Sequence, residues 1–98
     1  MSQFDRLAQD VATFSLATFG SQGPLPCAIK CRIEAEEFVD NPSIDEAADV
    51  LITILSWCGQ VGHTADDLLA AAEAKMRKNR ARKWLLLEDG TYQHVGGS

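Results

Sequence analysis

Glu34, Glu37, Glu46 and Asp49 are the residues of this 98-residue chain best placed to do chemistry. They form two pairs at i, i+3 spacing, each in a segment with a helical pattern. Residues three apart on a helix are surface neighbours, about 5–6 Å between Cβ atoms, so each pair projects from one face. If the two helices are antiparallel neighbours, four carboxylates converge. Carboxylates crowded in this way repel and resist ionising together. A divalent cation relieves the repulsion, and Mg²⁺ prefers oxygen ligands, usually alongside substrate phosphates. Asp49 adjoins the apolar run Val50-Leu51-Ile52, where an unpaired carboxylate is costly. The competing reading is a solvated acidic helix face.

The elements that must position these pairs follow from periodicity and breakers. Residues 2–18 read as a first helix, with Leu7, Val11, Phe14 and Thr18 near one face. Residues 20–26 read as a loop, because two Gly and two Pro interrupt the pattern. A second helix is expected from about Cys27 to Asp40, stopped by Asn41-Pro42-Ser43. Ser43 is a natural N-cap, and Glu46 three residues later completes a capping-box pattern, which gives Glu46 a purely structural alternative. The third helix, about 44–61, is apolar nearly all round and so should be surrounded by others. Gly59 and Gly62 mark its end. Thr64 caps a fourth helix, with Asp66 and Asp67 in its first turn. Rich in strong helix formers, it runs to about Lys83. Trp84 to Val95 reads as a hairpin around Asp89-Gly90, and Gly96-Gly97-Ser98 should fray. Helices joined by a link as short as 41–43 are normally antiparallel neighbours. With a rise of about 1.5 Å per residue, the two acidic pairs then lie at comparable depth.

A second constellation is Lys75, Asn79 and Arg82, whose spacings of four and three place them on one helix stripe. Lys and Arg offer charge to phosphate oxygens and Asn an amide donor. The bland reading is a solvated helix end that complements the dipole. Arg77, Lys78, Arg80 and Lys83 should face outward. Lys30, one turn before Glu34, can pair with it or approach a phosphate. An acidic metal cluster with a separate cationic stripe is what a triphosphate requires.

Composition sets the frame. The length predicts one domain, residues 1–98, and favours association with further copies. The 46% hydrophobic content argues against disorder. A formal charge of −5 disfavours broad nucleic-acid binding. No apolar run reaches membrane-spanning length, and Met1 to Asp10 lacks a signal-peptide pattern. Cys27, Cys31 and Cys58 suit a reducing cytoplasm. The expected fold is all-α: a compact bundle of about four helices with a short C-terminal hairpin or extended tail, assembling through helix packing.

These residues resemble the MazG-like all-α nucleoside triphosphate pyrophosphohydrolases. The signature Glu-x-x-Glu, spacer, Glu-x-x-Asp stands here as Glu34-Ala-Glu-Glu37, eight residues, then Glu46-Ala-Ala-Asp49. The stretch from Lys75 to Trp84 is similar to the family's Lys-x-x-x-Asn-x-x-Arg-x-Trp. Phe14 to Gly20 looks like the opening of compact phage-type members, for which dATP and dGTP are among the implied substrates. The resemblance implies Mg²⁺, with Mn²⁺ as a substitute, held by Glu34, Glu37, Glu46 and Asp49. It implies Glu37 or Glu34 as the base, and Lys75, Asn79 and Arg82, helped by Lys30, on the phosphates. It also implies hydrolysis of (d)NTP to (d)NMP and pyrophosphate by a homodimer or dimer of dimers. The tail from Leu85 departs from the Trp-Pro-Asp-Trp-Arg ending of the purine-specific form, so the resemblance leaves the base open. The rival readings are a non-catalytic helical interaction module and a carboxylate-bridged di-metal bundle. The latter needs Glu-x-x-His motifs, and no histidine lies near the acidic pairs.

Overall fold

The computed structural model describes residues 1–96; Gly97 and Ser98, expected to fray, lie outside the described residues. Four helices are followed by a two-stranded hairpin: α1 (Gln3–Phe19), α2 (Pro24–Asp40), α3 (Ile44–Val61), α4 (Ala65–Ala81), β1 (Lys83–Leu86) and β2 (Tyr92–Val95). Contacts divide the chain into a first unit, Met1–Leu68, and a second, Leu69–Ser98. Among the described residues, no helix is long and apolar enough to cross a membrane.

In the first unit, α1 and α2 both pack on α3 and make no close backbone approach to each other. The buried centre is Leu55 of α3 with Val11 and Ser15 of α1 and Cys27 of α2. The buried stripe of α1 is thus Val11–Ser15, and Phe14, expected on the core face, is 58% exposed. Nor is α3 covered all round. It buries Thr53, Leu55 and Cys58, while Leu51 and Ile52 remain exposed and Ile44 is 84% exposed. Two helices cannot cover every face of a third.

The caps explain the boundaries. Ser2 and Asp5 form a reciprocal capping box at the head of α1. The second helix begins three residues before the expected Cys27, because Pro24 occupies its first turn. Proline is favoured there: the missing N–H has no intrahelical partner in any case. Ser43 caps α3 by accepting from the Glu46 N–H at 3.2 Å. Gly62 ends α3 with a left-handed φ of 88°. Gly59, expected to mark that end, instead lies inside α3, where an added Cβ would stand 2.6 Å from the Ala12 Cβ. It is a close-packing residue between α1 and α3. Thr64 and Asp67 exchange bonds of 3.1 and 2.9 Å at the head of α4.

In the second unit, α4 stops at Ala81, short of the expected Lys83, because β1 begins at Lys83. The strands pair antiparallel, Lys83 with Val95 through Leu86 with Tyr92. Their turn closes with Gly90 N–H to the Leu87 carbonyl at 3.0 Å and Leu87 N–H to the Thr91 carbonyl at 2.8 Å. Gly90 takes φ 89°, the left-handed position of a short hairpin loop. Trp84 donates its indole N–H to the Asn79 carbonyl at 3.1 Å, tying β1 to the last turn of α4.

Gly59→Ala is expected to destabilise the protein by about 1–3 kcal/mol through overpacking, read as a lower Tm, and Ala12→Gly in the same chain should restore part of the loss. A second expectation concerns pH. Asp67 is held below the usual carboxylate range, first by the Thr64 backbone N–H and then by His63. Asp5 and Asp89 are lowered by Ser2 and Thr91. A depressed folded pKa adds stability that is complete above the unfolded value, about 3.9, and is lost as pH falls through the folded value. Tm should therefore hold near neutrality and drop below about pH 4, with a shallower acid limb in Asp67→Asn.

Candidate active site

The turn at Asn41–Ser43 folds the end of α2 back beside the start of α3. Glu37 and Glu34 lie one and two turns before it, and Glu46 and Asp49 one and two turns after it. Carboxylate oxygens of Glu34, Glu46 and Asp49 come within 4.8 Å of one another. This is the only such group of three or more potential metal ligands among the described residues. Glu46 reaches it because the capping box is only half made: its backbone N–H goes to Ser43, but its side chain does not reach back. One oxygen each of Glu34 and Glu46 is buried without a hydrogen-bond partner. Asp49, expected nearest the core, is the exposed member.

The surrounding charges act unequally. Lys30 Nζ lies 3.0 Å from Glu34 Oε1, and the Glu34 side chain is 12% exposed. This contact, with the neighbouring Glu37 carboxyl as a second cause, holds Glu34 below the usual carboxylate range. Glu37 is exposed and outside the three-way group. The neighbouring Glu34 carboxylate pushes it up first, with Glu46 adding to the repulsion. Lys30 is raised by Glu34 first, with smaller help from Glu37 and Asp49. One ammonium thus answers one of the four carboxylates. A buried carboxylate oxygen without a donor costs free energy. An all-oxygen set with two such atoms fits a hard divalent cation such as Mg²⁺ or Mn²⁺.

A cavity of about 460 Å³ opens beside the cluster, with Glu34 and Asp49 on its wall. It fills the wedge that α1 and α2 leave above α3. Its walls are mostly apolar, and Phe14 and Phe19 stand there edge to face, ring centroids 5.8 Å apart. At its other end, Ser15 Oγ and Ser56 Oγ are 2.7 Å apart. Gln60 Nε2 donates to Ser15 Oγ at 3.0 Å and to the Gly20 carbonyl at 2.9 Å. Gln60 Oε1 accepts from the Gln22 N–H at 2.7 Å.

The basic constellation lies in the second unit. Asn79 and Arg82 come together, with Arg82 Nη1 donating to Asn79 Oδ1 at 3.0 Å. Arg82 sits just past the end of α4 rather than on its stripe, and its Nε is buried without a partner. Lys75 is exposed and forms no ion pair among the described residues. The histidines are engaged elsewhere: His63 pairs with Asp67 at 3.3 Å and stacks on Trp57, and His94 meets the edge of Trp84.

No family model and no curated protein matches the sequence. Among solved structures, the cyanophage S-2L MazG-like pyrophosphohydrolase, bound to dGDP and three catalytic Mn²⁺ ions per active site, superposes with a TM-score of 0.79. Identity is 26%, and the match covers 98% of this chain and 100% of that one. Over nearly its whole length the chain is similar in fold to this MazG-like protein. In this chain the Glu34, Glu46 and Asp49 cluster stands at the short turn that joins α2 to α3.

Sequence reading missed the polar end of the cavity. The available signal was two serines, Ser15 and Ser56, set among apolar positions of α1 and α3. Their partners lie 41 and 45 residues apart in sequence, beyond any local pattern. A metal test follows from the orphaned oxygens. Mg²⁺ or Mn²⁺ at a hundred times its Kd should stabilise the fold by about 2.7 kcal/mol, read as a raised Tm. Glu46→Gln should raise the metal-free Tm by relieving repulsion, and should shrink the metal-induced rise.

Proposed function

We propose that this protein is a Mg²⁺-dependent nucleoside triphosphate pyrophosphohydrolase that converts (d)NTP to (d)NMP and pyrophosphate, with purine deoxynucleotides as candidate substrates. The observation that carries the reading is the meeting of Glu34, Glu46 and Asp49 within 4.8 Å, two of them with a buried, partnerless oxygen. The likeness to a pyrophosphohydrolase over 98% of the chain supports it.

In this reading Glu34, Glu37, Glu46 and Asp49 hold one or more divalent ions. The metal would polarise phosphate oxygens and lower the cost of generating a nucleophile from water. Glu37, exposed and outside the three-way group, is free to take the water's proton, with Glu34 beside it as the alternative base. Lys30 tempers the charge on Glu34. Lys75, Asn79 and Arg82 bind the phosphate tail. Water adds to phosphorus, the α–β anhydride breaks, and pyrophosphate leaves on the side held by the cations. A homodimer or dimer of dimers suits the exposed Leu25, Val39 and Ile44, at 67%, 75% and 84%. A reducing cytoplasm suits the three free cysteines.

Pyrophosphate release from the eight common NTPs and dNTPs, with and without Mg²⁺, tests the reading. Release should require the metal. Glu37→Gln and Asp49→Asn should lower kcat at least a hundredfold with the fold intact, and Arg82→Ala should act mainly on KM. Parental rates in the two carboxylate variants would remove those residues from the site. Folded protein that releases no pyrophosphate from any nucleotide would leave an interaction module as the better account.

A further inference from the structure

The cavity beside the carboxylates has a polar end with a fixed hydrogen-bond direction. Asp49 and Ser56 both line it, and the seven-residue step from one to the other spans about 10 Å along α3. On antiparallel α2, Glu34 and Cys27 line it with the same seven-residue interval. One end therefore lies at the candidate metal centre, and the other lies two helical turns away at Ser15 and Ser56. A volume of about 460 Å³ is in the range of small-molecule sites, which pair apolar walls with a few placed polar groups.

The direction of the polar end is set by Gln60. Its amide cannot be reversed, because a backbone N–H, that of Gln22, requires Oε1 and a backbone carbonyl, that of Gly20, requires Nε2. Gln60 Nε2 therefore donates to Ser15 Oγ. The Ser15–Ser56 contact uses one of the two hydroxyl protons, and neither hydroxyl has a further protein acceptor among the described residues. Ser15 is 1% exposed, and Gln60 Nε2 cannot accept its proton, so that proton goes to Ser56 Oγ; the remaining proton belongs to Ser56, the less buried of the two, on the cavity wall. The relay runs from Gln60 through Ser15 to Ser56 and presents a donor.

We propose that this cavity seats the base of the nucleotide between Phe14, Phe19 and the apolar wall, and that Gln60, acting through Ser15 and Ser56, makes its deep end select a hydrogen-bond acceptor. The proposal rests on the pyrophosphohydrolase reading for the identity of the ligand. Guanine offers two acceptors along one edge, O6 and N7, where adenine offers N7 and an amino donor. With Ser56 facing position 6, its donor meets the O6 of a 6-oxo purine and opposes the amino donor of a 6-amino purine, so the 6-oxo base is favoured. Ser56 is the reading residue and Gln60 a positioning residue.

The test has two arms. Values of kcat/KM for dGTP and dATP are compared in the parent, Ser56→Ala and Gln60→Glu. The parent should favour dGTP, and Ser56→Ala should narrow the ratio by about tenfold, the worth of one hydrogen bond. In Gln60→Glu the new carboxylate can only accept: it keeps the Gln22 N–H, gives up the Gly20 carbonyl, and turns the Ser15 proton toward itself, so Ser56 donates to Ser15 and the cavity faces lone pairs. The value for dGTP should fall while that for dATP rises. A loss of fold lowers both together and is read separately from the far-UV spectrum; in a folded variant, opposite movement is the signature of reversed polarity, and parallel movement, or none, overturns the relay. The second arm needs no turnover. In NMR spectra, dGMP should shift the Gln60 side-chain amide and the Phe14 ring, and deoxyribose 5-phosphate should not. Shifts confined to the Lys30 and Glu34 end, or no shifts, overturn the seat. Shifts at Gln60 without hydrolysis of any triphosphate would keep the seat and sink the hydrolase reading.

Discussion

Helix α3 is the shared floor on which α1 and α2 both rest, and their failure to approach each other is the constraint from which the site follows. Two helices on one floor leave a wedge between them. Apolar side chains line that wedge without filling it, and the buried centre is reduced to a few residues around Leu55 and Ser15. One contact between α1 and α3 is glycine against alanine, Gly59 on Ala12. Small residues let the two backbones meet at that point. Bulkier Phe14 and Phe19 stand on the same helix at the cavity wall.

The head of α3 carries the opposite kind of tension. Its N-cap is satisfied by the Ser43 hydroxyl alone, which leaves the Glu46 carboxylate to join Glu34 and Asp49. Negative charge near a helix N-terminus is favourable, and that partly offsets the crowding for Glu46. It does nothing for the oxygens of Glu34 and Glu46 that lack a donor. The fold thus holds an arrangement that is costly by itself and favourable with a cation, a common relation between stability and function.

Much of this was legible in sequence because the signals are local. The two Glu/Asp pairs, the Ser43 cap and the Asp89-Gly90 turn each lie within a few residues. Where reading failed, a local rule had two outcomes. Prolines near Gly23 read as breakers, yet Pro24 opens α2. Gly59 read as a terminator, yet it serves a tertiary contact. The Ser43-to-Glu46 spacing read as a full box, and only the backbone half forms. The Gln60 network was out of reach, because its bonds join residues 38 to 45 positions apart.

The Gln60 clamp also bears on when entropy is spent. Its side chain ties the Gly20–Gln22 segment after α1 to the last turns of α3, so that segment is ordered as the chain folds. A ligand entering the wedge meets a rim already in place. Ordering a loop at the moment of binding subtracts from affinity, and here that loss falls on folding instead. The chain's modest buried centre therefore supports a stiffness that is useful only to whatever occupies the wedge.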